Sequence, residues 1–178
     1  MTPVDPGRPA ATEHIPYYEP YIRLVPDGNI IESIERSLDA TIASLATLTS
    51  EQVQRRTTPE GWNALEVLGH LADTERVLSY RALRFARGDR TPLEGVEFDS
   101  YVAAAGFSGR TLAAVVEEFV SVRRATIALL RHLDAAAWTR DGLADGQPIS
   151  VRALAFIVAG HEIQHIGEVC AAIDAPVA

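Results

Sequence analysis

Apolar side chains recur at intervals of three and four residues over four long segments of the chain. This spacing places them on one face of a helix and predicts four helices, over residues 28–49, 63–88, 109–135 and 151–173. Asn63 and Ser150 stand where the second and fourth helices need N-caps. The fourth segment is apolar on almost every side, so we expect it to lie in the core. No segment alternates convincingly enough to predict a strand.

Proline-rich and polar stretches separate these segments. Residues 1–26 contain six prolines and predict an extended N-terminal arm. Three tyrosines could hold this arm against the body: Tyr17, Tyr18 and Tyr21. Residues 27–178 then form one domain. The connection at 89–108, with a short helical turn at "FDSYVAAA", is long enough to cross the end of a bundle and is typical of functional loops. We therefore predict an all-α four-helix bundle, and the length of this connection also allows an up-down-down-up topology.

Composition and charge narrow the class of protein. The chain has 178 residues, of which 47% are apolar and 22% charged, and this suits one globular domain. A formal net charge of −8 argues against nucleic acid or an anionic membrane as the partner. No apolar stretch reaches the roughly 20 residues of a membrane span, and the N-terminal residues do not resemble a signal peptide. Because Cys170 is the only cysteine, no internal disulfide forms, and we expect a cytoplasmic protein.

Two of the five histidines, His161 and His165, lie one turn apart on the inward face of the predicted fourth helix. Rings at this spacing can bind one metal ion, whereas each buried ring without an ion needs polar partners for two nitrogens. An open catalytic site usually has about three protein ligands. His70, on the predicted second helix, supplies the third if the two helices are neighbours. His14 and His132 carry no comparable signal.

The stretch "GHEIQH" also satisfies the His-Glu-x-x-His pattern of zinc proteases. The chain is not expected to be a protease, because those enzymes take a third metal ligand from further along the chain. The one acid soon after His165, Glu168, is on the same helix, and no strand is predicted for peptide binding. Glu162 and His165 match the Glu-x-x-His pairing of di-iron bundles, but Val67 stands where a second pair needs a glutamate. Glu162 is therefore either a catalytic proton acceptor or the partner of an arginine.

Trp62, the stretch "EVLGHLADTE" around His70 and the later "GHEIQHIGEV" resemble the DinB-like superfamily of metal-binding four-helix bundles. The similarity covers about residues 25–174. It lies in the order of one histidine after a tryptophan and a later His-x-x-x-His. The resemblance implies a divalent ion held by His70, His161 and His165, up-down-down-up topology and a homodimer. The family includes thiol-dependent S-transferases that use bacillithiol, mycothiol or glutathione, and proteins described as metal-dependent hydrolases.

Three neutral imidazoles leave a bound ion its full charge and an open position, where it can ionise water or a thiol. We therefore expect a thiol-dependent S-transferase acting on small electrophiles, with a metal-dependent hydrolase or a non-enzymatic, stress-associated dimer as alternatives. Arg81 and Arg84 are candidates to bind the carboxylates of a thiol cofactor, although such arginine runs are more often a solvated face. Zinc and nickel are the foremost candidates for the ion, and iron, cobalt and copper also suit three imidazoles.

Overall fold

The computed structural model of the protein describes residues 4–56, 58 and 60–174. Within these ranges the chain forms eight α-helices and one two-stranded hairpin. In chain order these are α1 (Glu19–Leu24), α2 (Ile30–Leu45), α3 (Ser50–Gln54), α4 (Ala64–Ala86), α5 (Phe98–Ala105), α6 (Leu112–Arg131), α7 (Ala135–Thr139), β1 (Asp141–Ala144), β2 (Gln147–Ser150) and α8 (Val151–Asp174). None of the helices in the described ranges has the length and hydropathy needed to cross a membrane.

The four longest helices are the four that the apolar spacing predicts. Helix α4 packs against α6 and α8, and α2 packs against the same two helices, so the four enclose a common core. Residues 153–159 of α8 are each at most 5% exposed, as expected for a helix that is apolar all round. The prediction of an all-α four-helix bundle is thus confirmed, and the up-down-down-up order stays a prediction.

Side-chain caps determine where α4 and α8 begin. Asn63 accepts hydrogen bonds from the backbone N–H groups of Leu65 and Glu66, both at 3.0 Å. The Glu66 carboxylate accepts one in return from the Asn63 N–H, also at 3.0 Å, which completes a capping box. At the start of α8, Ser150 Oγ accepts from the Ala153 N–H at 3.1 Å. Both caps are those that the sequence predicts.

The prolines of the N-terminal segment predict an extended conformation throughout. The structure is helical in part of this segment. Residues 19–24 form α1, with Pro20 in the first turn, where the missing N–H is not needed. Ile22 is 2% exposed, so this helix belongs to the core. Helix α1 packs against α8 because Gly160 has no side chain there: a Cβ would lie 1.9 Å from the carbonyl oxygen of Tyr21. The prediction of an extended arm is therefore wrong at α1.

A β-hairpin lies between α7 and α8, where the sequence pattern predicts no strand. Strands β1 and β2 pair in antiparallel register, and Asp145 and Gly146 form the two-residue turn with φ values of 55° and 68°. Asp-Gly favours this tight turn, because both positions need a positive φ. Strands of four residues are too short for their alternation to be recognised. The Asp-Gly pair was the available sequence signal.

Two backbone hydrogen bonds attach the long connection between α4 and α6 to this hairpin. The Leu93 N–H donates to the Leu143 carbonyl, and the Asp145 N–H donates to the Leu93 carbonyl, both at 2.9 Å. The connection also contains α5, at the stretch where a short turn of helix was predicted, and α5 packs against α4. The hairpin and the connection thus form one unit beside α4.

Candidate metal centre

Three histidine rings converge where α4 packs against α8. His70 projects from α4, and His161 and His165 project from successive turns of α8. One ring nitrogen of each lies within 4.8 Å of the other two. Within the described ranges, no aspartate, glutamate or cysteine joins this cluster. The structure therefore brings together the three residues that the sequence marked as candidate ligands.

The spacing of these nitrogens suits a metal ion. The Nε2 atoms of His70 and His161 are 3.1 Å apart. Neighbouring nitrogens in a tetrahedral zinc site, with bonds of about 2.0–2.1 Å, are separated by roughly 3.3 Å. Two nitrogens this close must share either a proton or a cation. A shared proton gives a partner to a nitrogen of only two rings. A cation also gives one to His165, whose ring centroid is 4.5 Å from that of His161.

Burial keeps two of the rings neutral. Burial lowers the pKa of His70 to about 4, and the nearby His165 adds to this effect. Burial also lowers the pKa of His161 well below its usual value, with His165 and His70 contributing. A neutral imidazole offers a lone pair, which is the form that binds a metal. Both rings are therefore ready to bind a cation at neutral pH.

Polar partners at the outer nitrogens orient two of the rings. Nδ1 of His165 lies 2.9 Å from the Glu168 carboxylate, and Nδ1 of His70 makes a longer contact, 3.5 Å, with the Thr74 hydroxyl. With Nδ1 turned to these partners, Nε2 is left for the cluster. A carboxylate on the outer nitrogen is the usual support of a metal-binding histidine, because it selects the tautomer and makes the ligand more basic.

The histidines lie at the inner end of a cavity of about 600 Å³. His70, His161 and Thr74, which line it, are buried, whereas the lining residues Tyr17 and Asp145 are exposed. The cavity therefore runs from solvent to the imidazoles. A volume of this size suits a small molecule.

Aromatic side chains from three separate segments pack against the imidazoles. The ring of Trp62, just before α4, has its centroid 4.6 Å from that of His70, and the ring of Phe98, on α5, is 5.9 Å away. Tyr21, on α1, packs at 5.3 Å against His161. All three also line the cavity. These contacts surround the histidine cluster with apolar surface on several sides.

The sequence profile of the DinB superfamily matches residues 33–169, which include all three histidines. The chain belongs to the DinB superfamily. A solved structure, YfiT from Bacillus subtilis, is similar over 92% of this chain and 90% of its own, with a TM-score of 0.70 and 16% identity. YfiT is described as a probable metal-dependent hydrolase with an unusual four-helix bundle topology, and at this identity the likeness concerns the fold. A search of curated proteins found no significant match.

Glu162, the candidate catalytic residue of this DinB-superfamily chain, does not line the cavity. Its fully buried carboxylate accepts hydrogen bonds from Ser37 at 2.7 Å, from Thr41 at 2.8 Å and from the Arg123 guanidinium. Arg123 also donates from Nε to both oxygens of Glu75, at 3.0 and 2.9 Å. These contacts match the second interpretation of Glu162, an ion pair with an arginine. The network joins α2, α4, α6 and α8.

Arg81 and Arg84, the candidates for binding a cofactor, also lie outside the cavity lining. The buried Arg81 donates to the Glu94 carbonyl at 2.9 Å. Burial raises the pKa of the Tyr18 phenol, and the charge of Arg81 opposes that rise. Arg84 forms an ion pair with Asp89. Both guanidinium groups are therefore engaged with neighbouring structure, and the fold does not bring them to the histidines.

Three acidic residues of the cavity wall, Glu97, Asp99 and Asp145, did not emerge from the sequence as site residues. They belong to the connection between α4 and α6 and to the hairpin turn, far along the chain from the histidines. The length of that connection pointed to a functional loop, but no spacing rule links its acids to the site. The hydrogen bonds between Leu93 and the hairpin hold these two segments side by side.

Proposed function

We propose that the protein is a metal-dependent hydrolase of small molecules. The main support is the convergence of three imidazoles, two of them held neutral by burial, at the inner end of a cavity of about 600 Å³. The description of YfiT as a probable metal-dependent hydrolase favours the same reaction class. A centre that opens into a cavity suits catalysis better than a structural role, since structural metal sites are closed. This argues against a non-enzymatic metal-binding module.

His70, His161 and His165 would hold the ion, with zinc or nickel foremost. When bound, a divalent ion lowers the pKa of water and polarises a carbonyl oxygen. Glu168 keeps the ring of His165 in the tautomer that binds. The reaction adds water across an ester or amide bond. The water oxygen joins the carbonyl carbon, the bond to the leaving group breaks, and the leaving group takes a proton.

The cavity lining favours hydrolysis over the thiol transfer expected from the sequence. Two of these thiols, glutathione and bacillithiol, are acidic and need basic partners for their carboxylates. Among the described residues that line the cavity, none is lysine or arginine, and three are acidic. An acidic thiol would therefore be repelled, whereas hydrolysis needs only water as the second reactant.

Elemental analysis and an ester assay test this proposal. We expect about one equivalent of metal per chain, and hydrolysis of p-nitrophenyl acetate that a chelator abolishes and added zinc or nickel restores. The triple variant H70A/H161A/H165A should lose both metal and activity. The variant H132A, which removes an exposed histidine outside the site, is the matched control and should retain both.

Two outcomes contradict the proposal. One is metal binding and hydrolysis that persist in the triple variant. The other is conjugation of monochlorobimane in the presence of a thiol, with no hydrolysis in its absence, which would reinstate the S-transferase.

We also propose that the protein is a cytoplasmic homodimer. The family resemblance supports the dimer, and the single cysteine suits a reducing compartment. Light scattering of the purified protein measures the mass of the assembly directly.

A further inference from the structure

We propose that the cavity selects small molecules with a cationic end, either an amine or a quaternary ammonium group. This inference rests on the proposed hydrolase function and assigns it a substrate class. The neutral, scissile part of the substrate faces the histidines at the inner end of the cavity. The cation lies near the mouth, between acidic and aromatic side chains.

Apart from the imidazoles, the charged groups of the cavity lining are all acidic. Glu97, Asp99 and Asp145 line the cavity, and all three are exposed, so they lie toward its mouth. The described part of the lining itself contains no lysine or arginine. The hydrogen bond from the Asp145 N–H to the Leu93 carbonyl, at 2.9 Å, positions one of these acids. Carboxylates around one opening attract cations and repel anions.

Aromatic rings provide the other component of a cation site. Tyr17, Tyr18 and Tyr21 line the cavity, and the Tyr17 ring centroid is 5.1 Å from that of Tyr18 and 6.3 Å from that of Tyr21. Tyr21, Trp62 and Phe98 pack against the histidines, so Tyr17 and Tyr18 are the rings left for the ammonium group. Aromatic faces attract ammonium groups, and surrounding rings are the usual means of binding quaternary ammonium.

Within the described ranges, the acids of the cation site lie outside the histidine cluster. A divalent ion repels a second cation placed close to it. A substrate that satisfies both sites therefore has two distinct ends, a carbonyl inside and an ammonium group at the mouth.

Choline and its uncharged isostere 3,3-dimethylbutan-1-ol separate the effect of charge from that of shape. Chemical shifts of the indole N–H groups can follow both titrations in metal-free protein, because Trp62 lines the cavity and the buried Trp138 does not. We expect choline to bind about tenfold more tightly, with a preference that weakens as salt is added. Equal affinities, or shifts at Trp138 alone, overturn the inference.

A matched pair of variants tests which acids carry the preference. E97Q/D99N/D145N neutralises the acids of the cavity, and asparagine tolerates the positive φ at position 145. The control D39N/E117Q/D174N removes the same formal charge from exposed positions outside the cavity. We expect the first variant to lose most of the roughly tenfold preference and the control to keep it. A preference unchanged in the first variant, or lost equally in both, contradicts the assignment to these three acids.

Three p-nitrophenyl esters of matched chain length then distinguish this inference from the proposed function. Their acyl groups are 4-(trimethylammonio)butanoyl, 5,5-dimethylhexanoyl and glutaryl, which carry positive, zero and negative charge. In metal-loaded protein kcat/KM should fall in that order, and the cavity variant should level it. If the neutral or anionic ester reacts as fast as the cationic one, hydrolysis stands and the cation preference fails. If no ester reacts while choline is still preferred, the proposed hydrolase fails and the cation site stands.

Discussion

Replacement of Arg123 by methionine tests whether the buried ion-pair network holds the helices of the site together. Arg123 is 1% exposed and pairs with Glu75 of α4 and Glu162 of α8. Methionine fills part of the same space but leaves two buried carboxylates without a cation. Breaking a buried ion pair in this way costs about 3–5 kcal/mol. Since domains are stable by about 5–15 kcal/mol, we expect R123M to be marginally folded.

Urea unfolding followed by circular dichroism measures this loss against the parent protein. The variant E75Q/R123M/E162Q removes the two carboxylate charges as well as the guanidinium cation. It should therefore be clearly more stable than R123M. A loss below about 1 kcal/mol in R123M refutes the reasoning. So does a triple variant that is no more stable than R123M.

The pH dependence of the same comparison provides an independent check. Burial raises the pKa of Glu75, and Arg123 opposes that rise, so removing Arg123 should raise the pKa further. A carboxyl group whose pKa is raised by folding destabilises the fold at pH values above 4.5, its pKa in the unfolded chain. This penalty disappears below that pH. The stability gap between R123M and the parent should therefore narrow as pH falls from 7 toward 4.5. A gap independent of pH is the contrary outcome.

Other substitutions test the N-terminal segment and the support of the metal ligands. G160A should lower the free energy of unfolding by about 1–3 kcal/mol in urea, because the added Cβ meets the backbone of α1 at 1.9 Å; unchanged stability contradicts that packing. Burial raises the pKa of Glu13, but hydrogen bonds, chiefly from Arg152, outweigh this and lower it to about 2. The pair therefore stabilises the fold fully above pH 4.5, and E13Q should cost roughly 1 kcal/mol there, a difference that shrinks as pH falls toward 2. E168Q should weaken metal binding about 10- to 100-fold in a chelator competition, since it removes the carboxylate that orients His165; unchanged affinity indicates that Glu168 has no such role.

The helices and the histidine cluster could be predicted because their signals are local. Three-and-four apolar spacing indicates a helix, and a His-x-x-x-His pair on one face needs no further folding to come together. His70 is 91 residues from His161, and only its position on a second helix and a family resemblance connected them. The packing of α4 against α8 brings His70 next to His161.

Glu162 shows why nearness along the chain is a poor guide to role. Consecutive residues of a helix point about 100° apart, so the neighbour of a ligand meets a different helix. Here that direction leads to Ser37, Thr41 and Arg123 rather than to the cavity. The hairpin is not predicted for a different reason: its strands of four residues are too short to alternate recognisably, and the Asp-Gly turn is its one local signal.

The sequence by itself determined the four long helices, the caps of the second and fourth, and the pair His161 and His165, because periodicity and capping act between residues a few positions apart. Only the tertiary structure decided which other groups share the cavity with those histidines. It excluded Glu162, Arg81 and Arg84 from the lining and brought in tyrosines and acids from the N-terminal segment, a long connection and a hairpin turn. These contacts join distant segments, and the chemistry of a carboxylate or an arginine depends on what lies beside it in space.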